Sequence, residues 1–388
     1  MEINEYMKGI RKELSVSASD MEKIANDFIT EMRAGLEGGT SSLKMLPSYI
    51  GKPTGKEKGS VVAIDFGGTN VRILQADLDG SGKITVNAKN KFPLVDPDGK
   101  YNYTAKEATG EQLFDYIAEH VSEISIKGVE NSLGHTFSFP CKQNGINSAE
   151  LIYWTKEIKT SGVEGHDVSK ILEGSLKRKK IENVTPKAVI NDTVGTLLAA
   201  AYSNTDVDMA AICGTGHNAC YLEPNHPLTG KPMIVNIESG NFNKVPQSRF
   251  DVLIDAASER PGLQKLEKMI SGYYLGEIIR VILEQMMKDG VLSESKEILK
   301  KDVIYGADID NIIADSADFG ATAKVMKEKL GLTSLTRDEL FSVKEIVDLV
   351  SVRSARLVAS IFVGIVYHID QKIERKHVIA IDGSLYEK

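Results

Sequence analysis

Val61-Val62-Ala63-Ile64-Asp65-Phe66-Gly67-Gly68-Thr69-Asn70-Val71-Arg72 sets an acid at the end of a short, β-branched apolar run, followed by two glycines and a hydroxyl residue. Val71 to Leu78 resumes as a strand and Lys83 to Phe92 supplies a third, so the segment predicts an antiparallel hairpin closed by a glycine turn. Such a turn lets backbone N–H groups approach phosphate oxygens without interference from a Cβ. A carboxylate beside it can hold Mg2+, directly or through water. The competing reading is an ordinary hairpin whose Gly-Gly pair supplies positive φ.

A second hairpin lies further along: Met209 to Cys213, the turn Gly214-Thr215-Gly216-His217-Asn218, then Ala219 to Leu222. Its turn fits the dinucleotide pattern G-x-G-x-x-A, but that pattern requires a helix next, and Ala219-Cys220-Tyr221-Leu222 reads as a strand. A phosphate-contacting hairpin, with Thr215 as hydroxyl donor, fits better. No Walker-type G-x-x-x-x-G-K-[ST] occurs, which excludes a P-loop at motif level. Two such hairpins, one in each half, predict two related α/β units facing each other across a cleft.

The rest of the chain fills in around them. Residues 1–58 read as a helical lead-in ending in a loop, Glu111 to Glu123 as a helix, and Ser132 to Phe139 and Ala188 to Ile190 as strands. Val194 to Tyr202 is apolar all round, as a buried helix is. Leu266, Met269, Ile270, Tyr273, Leu275 and Ile278 repeat at helical spacing, as do Val343, Ile346, Val347 and Val350. A last strand, His377 to Ile381, runs into Asp382-Gly383-Ser384.

Asn191-Asp192-Thr193 falls where a buried strand meets a buried helix. Asp192 has two readings there. It is a helix N-cap, or a carboxylate at the carboxyl end of a strand, where open α/β sheets bind ligands. Thr155, Lys156, Glu238, Gln264 and Glu267 are polar residues of the kind that bond neighbouring sugar hydroxyls. Each alone reads more readily as a solvated face.

Composition narrows the classes. The 388 residues carry 47 Lys+Arg against 54 Asp+Glu, a net charge of −7, with no basic run, so nucleic acid is not an expected partner. Cys141, Cys213 and Cys220 are too few for a disulfide framework, and the seven histidines lack metal spacing. The opening MEINEYMKGIRKEL has no apolar secretory core, and the most apolar stretch, Leu357 to Tyr367, is too short to span a bilayer. A cytoplasmic chain with no membrane partner is expected.

Taken in order, these motifs resemble the hexokinase family of eukaryotic type, from Leu43-Lys44-Met45-Leu46-Pro47 to Tyr386. The match includes Asp65 to Arg72, Leu133-Gly134-His135-Thr136-Phe137-Ser138-Phe139-Pro140-Cys141, Trp154-Thr155-Lys156 and Ser161 to Gly165. Asn191 to Thr196, Gly214 to Tyr221, Pro261 to Gly276 and Asp382-Gly383-Ser384-Leu385-Tyr386 follow. The resemblance implies an α/β, actin/hexokinase-type (ribonuclease H-like) ATPase fold with two domains around a cleft. Residues 59–192 would form the small domain, and 1–58 with 193–388 the large one.

It further implies that ATP with Mg2+ phosphorylates a hexose, most simply glucose, at the 6-hydroxyl, as in the first step of glycolysis. Asp192 would be the catalytic base, with Lys156 near the transferring phosphoryl group. Ser138, Phe139, Thr155, Lys156, Asn191, Asn218, Glu238, Gln264 and Glu267 match sugar-site positions. Asp65, Gly67, Gly68, Thr69, Asn70 and Arg72 match the first phosphate motif, and Gly214, Thr215 and Gly216 the second. Gly383, Ser384 and Leu385 match the start of the adenosine motif, and Asp65 the water-mediated metal position. Only a sugar and a nucleotide are implied as partners, for a monomer or homodimer.

Three departures stand out. His217 replaces a usual Ser or Thr, His135 replaces a usual Phe, and the family pattern continues past the closing motif while this sequence stops at Lys388. The last opens an alternative: a catalytically weak, hexokinase-like sugar-binding or regulatory protein.

Overall fold

The computed structural model describes residues 2–385, so Tyr386 of the closing motif lies outside the described residues. Two helices open the chain, α1 (Ile3–Leu14) and α2 (Ala18–Leu36). Next come β1 (Leu46–Pro47), β2 (Lys58–Phe66), β3 (Asn70–Asp79), β4 (Ile84–Pro93), α3 (Gly110–Ile124) and β5 (Asn131–Phe137). A small hairpin, β6 (Cys141–Gly145) and β7 (Ser148–Leu151), precedes α4 (Val168–Arg178), β8 (Val184–Ile190) and α5 (Asp192–Ser203). The second half has β9 (Val207–Cys213), β10 (His217–His226), β11 (Lys231–Asn236), α6 (Arg249–Ala256), α7 (Glu267–Ile270) and α8 (Gly272–Lys288). It ends with α9 (Gly306–Ile313), α10 (Gly320–Leu330), α11 (Arg337–Ile369) and β12 (Val378–Asp382).

Among the described residues, the strands other than β6 and β7 form two five-stranded sheets of matching design. One runs β4-β3-β2-β5-β8 and the other β1-β11-β10-β9-β12. In each, a hairpin extends into a three-stranded antiparallel meander, and a later strand joins parallel to the hairpin's first strand: β5 to β2, and β12 to β9. This is the actin/hexokinase-type plan. The hairpin pairings run Asp65↔Arg72 and Phe66↔Val71 in the first sheet and Cys213↔His217 in the second.

Sequence alternation sets the layers. Val62, Ile64 and Phe66 on β2 are buried, and they share a core with Leu113, Phe114 and Ile117 of α3. Burying each such side chain contributes about 1.5–3 kcal/mol. Helix starts are marked by reciprocal capping of Ser17 with Asp20, Thr109 with Gln112, Ser248 with Asp251, and Thr336 with Glu339.

Several expectations are corrected. The apolar stretch 357–367 belongs to a 33-residue helix, α11, whose length and composition would suffice to cross a membrane. In the fold its Leu357, Ile361 and Ile365 pack with Phe28 and Met32 of α2 and with the β9–β10 sheet. The spacing from Leu266 to Ile278 is not one helix. Ser271 is extended (φ −82°, ψ 152°) between α7 and α8, and Tyr273 points outward, half exposed. The break has a physical cause, since Gly272 N–H donates to the Gly214 carbonyl at 2.8 Å, tying α8 to the second turn. The lead-in also contains β1, and β6, β7 and β11 were not foreseen.

Candidate active site

The first turn does not need its glycines for backbone angles. Neither Gly67 nor Gly68 has positive φ, which removes the ordinary-turn reading. A Cβ on Gly68 would meet nothing within 4 Å, while one on Gly67 would touch Ser138 Cβ at 3.4 Å and come within 3.7 Å of Lys156 Nζ. Gly68 therefore presents bare backbone to open space, while Gly67 lies against Ser138. Asp65, partly exposed at its rim, pairs across the hairpin with Arg72 Nη1 at 2.8 Å, and Asn70 Nδ2 donates to Thr69 Oγ1 at 3.2 Å.

The second turn is tighter than predicted. It comprises Gly214 to Gly216, and His217 and Asn218 already belong to β10. Gly214 N–H donates to the Gly216 carbonyl (3.0 Å), Tyr273 N–H to the exposed Thr215 (3.2 Å), and Leu385 N–H to the Cys213 carbonyl (3.0 Å). Gly383, at φ +120°, lies so close that a Cβ would sit 2.5 Å from the Cys213 carbonyl oxygen. Turn, α8 start and the Gly383-Ser384-Leu385 segment thus converge as one backbone-lined edge.

Asp192 stands between the two turns. The N-cap of α5 is its neighbour Asn191, whose Oδ1 accepts from Thr193 N–H at 2.9 Å, so the capping reading falls to Asn191. Asp192, in the first helical turn, accepts from Thr193 N–H at 2.8 Å and faces Ser138 and Lys156. Burial pushes its carboxyl above the ordinary range, against the pull of the Thr193 bond and the Lys156 charge. Lys156 Nζ donates to the Gly67 and Ser138 carbonyls (2.6 and 3.1 Å) and lies 5.3 Å from the Phe139 ring. Desolvation of that ammonium lowers its proton affinity, opposed by the charges of Asp192, Asp65 and Glu267. Thr155, half-buried, precedes it.

The remaining polar candidates arrive from the second sheet. Asn218 Nδ2 donates to Asn236 at 2.8 Å and reaches Glu238 and Asn191, each at 3.4 Å. Glu267 accepts from His217 N–H at 3.0 Å and from Gln264 Nε2 at 3.2 Å. Burial raises the carboxyls of both Glu238 and Glu267, and for Glu238 the charges of Asp192 and Glu267 add to the shift. Lys156, Glu238 and Gln264 all hold left-handed backbone, at φ 58°, 55° and 52°. Each such non-glycine residue costs about 1–3 kcal/mol, and such strain gathers at functional sites.

Sequence reasoning missed Asn236. Its Nδ2 donates to Glu238 Oε1 at 2.9 Å while its Oδ1 holds Asn218, fixing both. The available signal was a lone amide ending the apolar run Met233-Ile234-Val235. The two odd histidines prove neutral. His135, lowered to about 3 by burial, packs edge-on against Phe137 (5.2 Å) and so replaces an aromatic without adding charge. His217, lowered to about 4, lies under the second turn with Cys213 Sγ at 3.8 Å. Trp154 packs on Phe139 (4.9 Å) and donates to the Thr160 carbonyl, as a core residue does.

Duplicated hairpin-led sheets, with Asp192 and neighbouring acids gathered about their paired turns, define a protein of the actin/hexokinase-type fold. Hexokinase family models match residues 6–202 and 208–388. The chain is 32% identical to hexokinase-1 of Schizosaccharomyces pombe, with 99% of this chain and 82% of that one aligned. Against mouse hexokinase-3 the identity is 35%, over 92% of this chain but 40% of the relative. Among solved structures, a hexokinase crystal structure superposes with a TM-score of 0.88 at 32% identity, covering 98% of this chain and 88% of that one. The glucose-complexed hexokinase of Schistosoma mansoni gives 0.82 at 31%, covering 99% and 89%. The chain belongs to the hexokinase family, enzymes that phosphorylate sugars.

Proposed function

We propose that this enzyme transfers the γ-phosphoryl group of ATP to the 6-hydroxyl of a hexose, with glucose as the preferred acceptor and Asp192 as the base. One observation carries the reading: the Asp192 carboxyl, half-buried beside Ser138 and Lys156, between two glycine turns. Glucose is favoured because the Schistosoma relative binds it and the likeness covers nearly the whole chain.

In this reading Asn191, Asn218, Glu238, Gln264 and Glu267, with Ser138, Phe139, Thr155 and Lys156, grip the sugar hydroxyls. Asp192 takes the proton of the attacking hydroxyl while Lys156 offsets charge on the phosphoryl group. Gly67, Gly68, Thr69, Asn70, Gly214, Thr215 and Gly216 approach the phosphates through backbone and hydroxyl donors, and Gly383 to Leu385 border the adenosine. Asp65 keeps one carboxylate oxygen clear of its Arg72 bond, which suits a Mg2+ held through water and neutralising the nucleotide phosphates. Water competes with the sugar as nucleophile, so sugar binding should draw the halves 59–192 and 1–58 with 193–388 together.

A coupled assay for glucose-dependent ADP release on the parent and on Asp192→Ala tests this. The variant is expected to lose at least ~100-fold in kcat, with glucose binding retained. Near-native turnover in the variant rejects Asp192 as base. A parent that binds glucose without turnover favours a sugar-binding role instead.

A further inference from the structure

We infer that Tyr153 and Arg260 form a latch across the mouth of the sugar site, holding the two halves together and setting how fast sugar enters and leaves. The inference rests on the sugar-kinase reading for where the sugar lies. Arg260 Nη1 donates to Tyr153 Oη at 2.8 Å, and its guanidinium sits 4.9 Å from the centre of the same ring. A hydrogen bond and a cation–π contact on one residue pair hold its geometry in two ways.

Position gives the pair its role. Tyr153 is two residues before Thr155 on the half bearing the first turn, and Arg260 is four before Gln264 on the other. Among the described residues, the side-chain hydrogen bonds joining the halves fall in three places, apart from those within α5. Beside the chain crossings, Gly80 N–H reaches Tyr202 Oη (3.0 Å) and Gln143 reaches the Ser48 carbonyl (3.4 Å). On the floor, Asn218 meets Asn191. The third is Tyr153 with Arg260. Contacts beside a crossing survive a hinge motion, whereas one between opposing rims must break before the cleft opens.

Both partners are presented from pinned loops. Lys268, almost fully buried, donates to the Arg260 carbonyl at 2.8 Å and to Asp255 at 2.6 Å, while Gly262 N–H donates to Asp255 at 2.9 Å. On the facing rim, Ile152 N–H donates to the Pro140 carbonyl (2.9 Å) and Trp154 N–H to Glu164 (2.8 Å), bracketing Tyr153. Neither Tyr153 nor Arg260 lies among the residues assigned to sugar or nucleotide, so they act as positioning residues by biasing closure.

Arg260→Ala, Tyr153→Phe and the double variant test this, by coupled assay and by glucose titration of Trp154 fluorescence, the chain's lone tryptophan. Each single change is expected to raise the glucose KM and Kd about three- to tenfold. Sugar dissociation should quicken, with kcat no lower and the ATP KM within about twofold. The double variant should match the worse single one, because both remove one interaction. Glucose constants within about twofold of the parent in both singles, or multiplied effects in the double, overturn the latch. Asp192→Ala assayed alongside keeps the two failures apart: it tests the base, while the fluorescence titration reads the latch without turnover.

Discussion

Single buried acids here work against the stability of the fold. Burial lifts the carboxyls of Asp192, Glu238 and Glu267 above the ordinary range, so the folded state binds their protons more tightly than the unfolded chain does. Such groups destabilise the fold where they are ionised, and that burden eases as pH falls through their raised pKa values. Glu238→Gln should therefore raise Tm by about 2 °C in the absence of sugar, while raising the glucose Kd at least ~10-fold; calorimetry and titration check the pair. A base must be ionised, so the acid limb of kcat should lie above the ordinary carboxylate range, and a pH–rate profile reads it directly. At this scale the sequence was a partial guide. Asp192 read equally as a helix cap and as a site carboxylate until the backbone made its neighbour Asn191 the cap. The left-handed backbone of Lys156, Glu238 and Gln264 leaves no mark in composition, because any residue can be forced there by its surroundings.

Among elements, the two hairpins were legible because alternation and glycine turns are local signals. The strands β1, β6, β7 and β11 were not: β1 is a two-residue edge strand defined by its distant partner β11, β6 and β7 are only five and four residues long, and the apolar run of β11 is confined to Met233, Ile234 and Val235. The break between α7 and α8 follows the same logic: periodicity runs through Ser271, and only the bond from Gly272 to Gly214 divides it. Contacts between elements also mark where the proposed nucleotide edge is vulnerable. Gly383→Ala would push a Cβ to 2.5 Å from the Cys213 carbonyl oxygen and 2.9 Å from Gly214 N, at a backbone angle that disfavours side chains. It should raise the ATP KM at least ~10-fold and leave the glucose Kd within about twofold, a separation steady-state kinetics can measure.

The whole molecule is held on the α11 side by an ion pair sealed in the core. Arg353 donates twice to Asp251 (2.7 and 2.8 Å), both side chains almost wholly buried, and Asp251 also receives the Ser248 backbone and hydroxyl. Arg353→Ala would strand that carboxylate, and a loss of about 3–5 kcal/mol in urea unfolding is expected. Duplication of the sheets has a mechanical consequence. The chain passes between the sheets twice, from β1 to β2 and from β8 through α5 to β9, and Asp192 sits on the second passage. If the two halves swing together as proposed, a side chain on that passage travels least, and Asp192 would be a nearly stationary reference point toward which acceptor and donor are each delivered.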